Sequence, residues 1–183
     1  MSSFEFIFTL FGLLLGLALA AGLGGLARAL KARRKVHIGW PTVLLGIFVS
    51  CDVVTFWMYG WALRDLLPLN WAVLFGGFIV TALYYISVSL VFPDDIGEWE
   101  DLDSYFDQHR RLVLGGVLAC NVILLATAGA LASLPPFGDL RTLVVTWSFF
   151  PVIAVAIAAT DRRIVTGCMV WLILLYPLSA LWV

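Results

Sequence analysis

The stretch that decides the fold is residues 38–63, IGWPTVLLGIFVSCDVVTFWMYGWAL. It is longer than the roughly 20 apolar residues that a helix needs to cross a lipid bilayer. Trp40 and Trp61 lie near its two ends, where aromatic residues anchor a membrane helix at the interfaces. Asp52, between them, is the single charged residue of the stretch. The stretch therefore predicts a transmembrane helix with a carboxylate near its middle.

Five further apolar stretches of similar length accompany it. The chain of 183 residues is 62% hydrophobic and 13% charged, whereas soluble domains carry about 25% charged residues. The predicted spans are residues 4–27, 38–63, 71–92, 112–134, 142–160 and 164–182. Because three residues separate the last two spans, a re-entrant pair is the alternative there. The predicted fold class is an all-α integral membrane protein, a six-helix transmembrane bundle that forms one domain over residues 1–183.

The basic residues predict the orientation, because Lys and Arg stay on the cytoplasmic side of a membrane. Nine of the eleven lie in the first, third and fifth loops: Arg28, Lys31, Arg33, Arg34, Lys35, Arg110, Arg111, Arg162 and Arg163. We therefore expect both termini on the outside of the plasma (inner) membrane. The first five are also candidates for contact with anionic lipid headgroups, although a topology signal alone is the favoured explanation.

The loop 93–111, PDDIGEWEDLDSYFDQHRR, is the longest break between spans and is acidic. Ile96, Trp99, Leu102 and Phe106 recur in it at helical spacing, and this predicts a cytoplasmic amphipathic acidic helix that begins at Pro93. Its apolar face is expected to dock on the protein itself or on a partner, and the candidate surface consists of Glu98, Trp99, Asp101, Asp103 and Asp107. A divalent-cation site on this loop is an alternative, but the EF-hand spacing is absent.

A stripe of small residues lies on the first span. Gly12, Gly16, Ala20 and Gly24 follow one another at intervals of four, so another helix can approach closely along this line. The stripe predicts helix packing, either inside one bundle or between copies in a homo-oligomer.

Asp52 is the leading candidate for function. A charged Asp near the middle of a membrane helix costs roughly 2.5–3.5 kcal/mol, so the side chain has to face protein or water. Polar but neutral groups are expected at a similar depth: Thr81 in the third span, Asn121 in the fourth, and backbone carbonyls that Pro151 frees in the fifth. Together they predict an ion or proton path. The alternative is a hydrogen bond that only ties helices together.

Other chemistry has little support in the sequence. Cys51, Cys120 and Cys168 lack metal-ligand spacing, and the two histidines, His37 and His109, lie in or beside loops. We expect no cofactor, no metal and no nucleic-acid partner, and membrane lipids as the environment. The leading hypothesis is a channel or carrier for protons or a small cation. A non-catalytic scaffold or accessory subunit is the alternative. The least favoured hypothesis is a membrane enzyme that acts on a lipid, with His109, Asp107 and Asp103 as acid and base groups. We expect no enzyme activity.

Overall fold

The computed structural model describes residues 3–68, 70–99 and 101–182, with side chains from residue 8 onward. The described chain forms six long helices. They are α1 (Ser3–Ala32), α2 (Trp40–Ala62), α3 (Trp71–Ser89), α4 (Leu102–Leu131), α5 (Leu140–Ala158) and α6 (Arg162–Leu181). All six are long and apolar enough to cross a membrane. The prediction of an all-α fold with six such helices is confirmed, and the last two spans are separate helices.

Helix α2 occupies the centre of the bundle. It packs against α1, α4 and α6, and to a smaller extent against α3. Phe48, Val49 and Val53 on α2 are fully buried in these contacts. Asp52 lies on the same inward face of α2. Because α2 is central, the Asp52 carboxylate lies among several helices.

The bundle has two distinct ends. The end that carries residues 33–39, 90–99 and 159–161 holds most of the basic residues, and we call it the basic end. Residues 63–68 and 132–139 lie at the opposite end. Arg28, Lys31, Arg33, Arg34 and Lys35, the predicted headgroup contacts, are all exposed at or near the basic end.

Polar caps decide where several helices begin. Pro41 lies in the first turn of α2, where its missing N–H costs nothing. The side chains of Asn70, Asp101, Asp139 and Asp161 accept hydrogen bonds from backbone N–H groups at the starts of α3, α4, α5 and α6, respectively. Each satisfies donors that have no partner within the helix.

The prediction of a separate acidic helix beginning at Pro93 is wrong. Residues 93–99 form a loop with one 3₁₀ turn, Ile96–Glu98, and the helix that follows begins at Leu102 and continues into the fourth span. The physical reason is local capping: Asp95 accepts a hydrogen bond from Gly97 N at 2.8 Å, and Asp101 accepts one from Asp103 N at 2.8 Å. These short-range bonds compete with a continuous helix.

The apolar residues of this segment nevertheless dock on the protein itself. Ile96, Leu102 and Phe106 are buried. The N–H of Leu102 donates to the carbonyl of His37 at 3.2 Å, and this bond holds the segment against the loop before α2. Of the predicted surface residues, Glu98 is exposed, Trp99, Asp101 and Asp103 are half-buried, and Asp107 is exposed.

The small residues that pack inside the bundle differ from the predicted stripe. Gly22 and Gly25 are buried, and a Cβ on Gly25 would lie 2.5 Å from the ring of Phe92. Of the predicted stripe, Gly12 contacts Trp57, a Cβ on Gly16 would meet nothing within 4 Å, a Cβ on Gly24 would meet only an Arg28 side-chain nitrogen of its own helix, and Ala20 is exposed. The stripe is therefore rotated from the packed face, on which Ala18, Gly22, Gly25 and Ala29 lie.

Helix α5 contains an irregular turn. Residues Leu143–Trp147 form a π turn, and Ser148 N donates to Leu143 O at 3.0 Å, five residues back. Pro151 lies four residues after Trp147, where its ring crowds the Trp147 carbonyl and no N–H can bind it. We attribute the π turn to this proline, since such turns form where the ordinary ladder is interrupted.

Candidate functional site

A hydrogen-bond network forms around the carboxylate of Asp52, whose exposed fraction is 3%. The hydroxyl of Tyr84 donates to Asp52 Oδ2 at 2.7 Å, and the amide nitrogen of Asn121 donates to the same oxygen at 3.0 Å. The hydroxyl of Tyr176 donates to Asp52 Oδ1 at 3.0 Å. Helices α3, α4 and α6 thus each supply one donor to the carboxylate of α2.

The amide of Asn121 has more partners than hydrogens. Its nitrogen lies 3.0 Å from Asp52 Oδ2, 3.1 Å from Tyr84 Oη and 3.0 Å from Val117 O. A side-chain amide carries two N–H groups, so two of these three acceptors share one hydrogen in a three-centre bond.

The four predicted path residues do not all meet. Asp52 and Asn121 are in direct contact. Thr81 is buried, but its hydroxyl donates to Gly77 O at 2.9 Å and Phe78 O at 3.1 Å within its own helix. Pro151 is exposed on the outer side of α5. The contribution of the fifth helix is instead the π turn, which the proline accompanies.

A cavity of about 140 Å³ lies against this network. Asp52, Asn121 and Tyr176 form part of its wall, and Phe149, Phe150 and the leucines of α4 form much of the remainder. Val145 and Thr146 of the π turn also line it. Among the described residues that line the cavity, Asp52 is the only one with a charged side chain.

A wider space of about 340 Å³ continues from the cavity toward the end of the bundle opposite the basic end. The two share five lining residues, Thr55, Tyr59, Val145, Thr146 and Ser179. Arg141 and Thr142 at the start of α5 line the outer part. The guanidinium of Arg141 donates to Ser179 O at 3.1 Å, so a positive charge lies at the rim.

No protein-family model, curated protein or solved structure matches the chain.

Packed apolar side chains fill the bundle on the other side of Asp52. Leu45, Phe48 and Val49 precede it on α2 and are 0–1% exposed, and Leu114 and Val117 of α4 are fully buried. The ring of Phe48 lies 6.3 Å from that of Phe149 and 6.4 Å from that of Tyr176, measured between centroids. The carboxylate is thus approached by a cavity from one end and by dense packing from the other.

Two arginines fasten α4 to α5 and α6 at the basic end. Arg110, which is 5% exposed, donates to Ala156 O at 2.9 Å and Ala159 O at 2.6 Å, at the C-terminus of α5. Arg162, at the start of α6, binds Asp107 at 2.6 Å and Asp103 at 3.2 Å. A cation at a helix C-terminus is favourable, because the helix dipole leaves negative charge there.

These contacts also engage the acidic residues that are candidates for metal binding or acid–base chemistry. Ligand atoms of His37, Asp101 and Asp103 lie within 4.8 Å of one another, which is the spacing of a small metal site. However, Arg162 already neutralises Asp103, and Asp101 caps α4. His109, named for the enzyme hypothesis, stacks on Tyr105 at 4.1 Å, and its Nδ1 lies 3.0 Å from Tyr105 O. Asp107 and Asp103, its suggested partners, are engaged by Arg162.

The sequence prediction missed Tyr84, Tyr176 and the π turn. Tyr176 lies near the end of the last span, and only its contact with Asp52 distinguishes it from an interfacial tyrosine anchor. The π turn was missed as well, although Pro151 marked an interruption of the helix. Tyr84 was not among the predicted path residues, although Tyr85, Ser87 and Ser89 add further hydroxyl groups to the same span.

Proposed function

We propose that this chain is an integral membrane carrier for protons or a small cation, and that Asp52 is the group that binds the transported ion. The single observation that carries the proposal is that one buried carboxylate both joins four helices and lines a cavity that widens toward one end of the bundle. An ionisable residue kept inside a membrane is functional by default, since insertion of its charge is costly.

The proposed orientation places the basic end in the cytoplasm and both termini outside, following the rule for Lys and Arg. The cavity then opens to the outside, with Arg141 at its rim. A space that is open on one side only fits a carrier better than an open channel. A carrier exposes its binding site to the two sides of the membrane in turn.

The hydroxyl of Tyr176 takes part in the proposed binding of a proton to Asp52. When Asp52 is ionised, Tyr176 donates to Oδ1. When a proton binds at Oδ1, that oxygen becomes the donor, and the Tyr176 oxygen becomes the acceptor. The Tyr176 hydrogen must then turn toward the cavity that this residue also lines. Tyr176 is in this way a positioning residue between the cavity and the carboxylate.

A purely structural role is the competing explanation. Hydrogen bonds between membrane helices are worth about 0.6 kcal/mol on average and up to about 2 kcal/mol. Three such bonds would tie α2 to its neighbours with no transport at all. The two explanations differ in what happens to ion flux when the charge is removed and the shape is kept.

The deciding experiment measures proton and cation flux in proteoliposomes under imposed pH, sodium and potassium gradients. Wild type is compared with Asp52→Asn and with a matched control, Asp65→Asn, which removes an exposed carboxylate at the opposite end from the basic loops. We expect flux in the wild type and in Asp65→Asn and a loss of flux in folded Asp52→Asn. Equal flux in all three, or none in the wild type, would refute the proposal and leave Asp52 as a structural residue.

A further inference from the structure

The lining of the Asp52 cavity points to a more specific occupant than a bare ion. We infer that the cavity binds a small organic ammonium, a compound with one protonated amine and an apolar body of a few carbon atoms. This inference rests on the proposed function, because it names the substrate class of the same site.

The size of the cavity sets the size of the compound. Its volume of about 140 Å³ is close to that of an engineered protein cavity of about 150 Å³ that holds benzene. An occupant of about six non-hydrogen atoms therefore fits. A bare sodium or potassium ion would leave most of this space unfilled and would meet apolar walls that cannot replace its hydration shell.

The wall of the cavity combines a few polar groups with apolar side chains. Asp52 offers its carboxylate, which has about four acceptor positions, and three are taken by Tyr84, Asn121 and Tyr176. One position is left for an N–H of the ligand. Phe149, Phe150 and Leu125 provide the apolar surface for its carbon atoms. A pocket that is mostly apolar with a few converging polar groups is the usual form of a small-molecule site.

Charge and aromatic character favour a cation over a neutral or anionic compound. The negative Asp52 is the charged residue of the inner cavity among the described residues, and aromatic rings attract a cation to their faces. Arg141 is the opposing charge, and it lies at the rim of the outer space rather than in the cavity. It is exposed, so water and salt screen it.

The test uses purified full-length protein and calorimetric titration with cyclopentylammonium, a compact amine of about six non-hydrogen atoms that matches the cavity. The neutral isostere cyclopentanol and the much larger dicyclohexylammonium serve as ligand controls, and sodium represents the bare ion. We expect saturable binding of cyclopentylammonium alone. Absence of saturable cyclopentylammonium binding to the wild type, or equal binding of cyclopentanol, overturns the inference.

Variants then locate the site. Asp52→Asn should weaken cyclopentylammonium binding by about tenfold or more, since a charge-assisted hydrogen bond is lost. Ala128→Phe should abolish binding, because Ala128 lines the cavity and the ring fills it. The matched control is Ala126→Phe, the same change on an exposed position of the same helix, which should bind like wild type. Unchanged affinity in both Asp52→Asn and Ala128→Phe overturns the inference.

The same preparation separates the two proposals. Asp52-dependent binding of cyclopentylammonium, with no flux of protons, sodium, potassium or labelled cyclopentylammonium in proteoliposomes, supports the inferred site and refutes the carrier. Asp52-dependent proton flux without ammonium binding supports the carrier and overturns the inference.

Discussion

Tyr176 Oη and Asp52 Oδ1 form a hydrogen bond of 3.0 Å between residues that are 124 positions apart in the chain. The bond joins the last helix to the central one and lies in the wall of the cavity. Tyr84 of α3 donates to the other carboxylate oxygen in a fully buried position. The two tyrosines therefore make chemically similar bonds in different surroundings.

Replacing each tyrosine by Phe should separate stability from transport. Each variant loses one interhelical hydrogen bond, at a cost of about 0.6–2 kcal/mol, so both should melt at lower temperature. Tyr176→Phe should also slow proton flux strongly, because the hydroxyl between the cavity and Oδ1 is gone. Tyr84→Phe should keep most of the flux, because Asn121 still donates to Oδ2. Equal flux loss in the two variants would contradict a special role for Tyr176.

Glycine substitutions should reveal which face of α1 packs inside the bundle. A Cβ on Gly25 would meet Phe92, whose ring also lies 2.9 Å from a Cβ built on Gly46, so the ring has little room to move. Gly25→Ala should destabilise by about 1–3 kcal/mol in a thermal or denaturant melt. Gly16→Ala meets open space and should be neutral or stabilising by up to about 1 kcal/mol, through helix propensity. The reverse order would show that the predicted stripe is the packed one.

The two arginines at the basic end should differ in their effect on stability. Arg110→Met keeps an apolar stem but leaves two carbonyls of α5 without their donor, so the expected loss is about 1–3 kcal/mol. Arg162 has an exposed side-chain fraction of 46%, so Arg162→Gln should cost about 0–1 kcal/mol. Denaturant unfolding in detergent measures both. A larger loss for Arg162→Gln would show that the surface ion pairs, and not the buried cap, hold the hairpin of α5 and α6.

Arg141 at the rim should slow the entry of cations. Arg141→Gln removes this positive charge, and we expect cyclopentylammonium to associate a few times faster at low salt, with the difference fading as salt rises. Stopped-flow binding at two ionic strengths provides the rates. Identical rates for the two proteins at low salt would place the entrance elsewhere.

The start of α5 should make a small acid-dependent contribution to stability. Hydrogen bonds from the hydroxyl and the N–H of Thr142 hold the pKa of Asp139 below its usual value. A lowered folded-state pKa means that the contribution is present above the unfolded pKa of about 4 and is lost as the pH falls through the folded value. Asp139→Asn keeps a capping side chain but does not titrate. Its melting temperature should therefore fall less than that of wild type between about pH 5 and pH 3, and an equal fall would contradict this assignment.

Several features of the fold could be read from the residues one stretch at a time. Helix starts at Asp139 and Asp161 follow from local capping, and the six candidate membrane spans follow from apolar length. The acidic segment shows where such reasoning failed. Its apolar residues do recur at helical spacing, but Asp95 and Asp101 form local caps that break the helix, and buried contacts with the loop before α2 favour the broken form.

The sequence predicted only part of the candidate site, because some of its residues are unusual by themselves and others matter only through their neighbours. Asp52 and Asn121 stood out because a polar residue is costly in an apolar span, and that cost is independent of its neighbours. Tyr176 did not stand out, because tyrosine is common near membrane interfaces and the role of this residue depends on which helix lies beside it. Thr81 was named for its depth, but its hydroxyl is satisfied within its own helix.

The sequence by itself determined that the chain forms six apolar helices, that one of them carries a lone carboxylate, and that the basic residues gather at one end. These properties depend on composition and length, which each segment carries alone. Only the tertiary structure decided that α2 is central, that Tyr84, Asn121 and Tyr176 converge on Asp52, and that a cavity reaches this group from one end. Convergence depends on the rotation of each helix about its axis. Weak apolar periodicity leaves that rotation open, and the packing of all six helices together sets it.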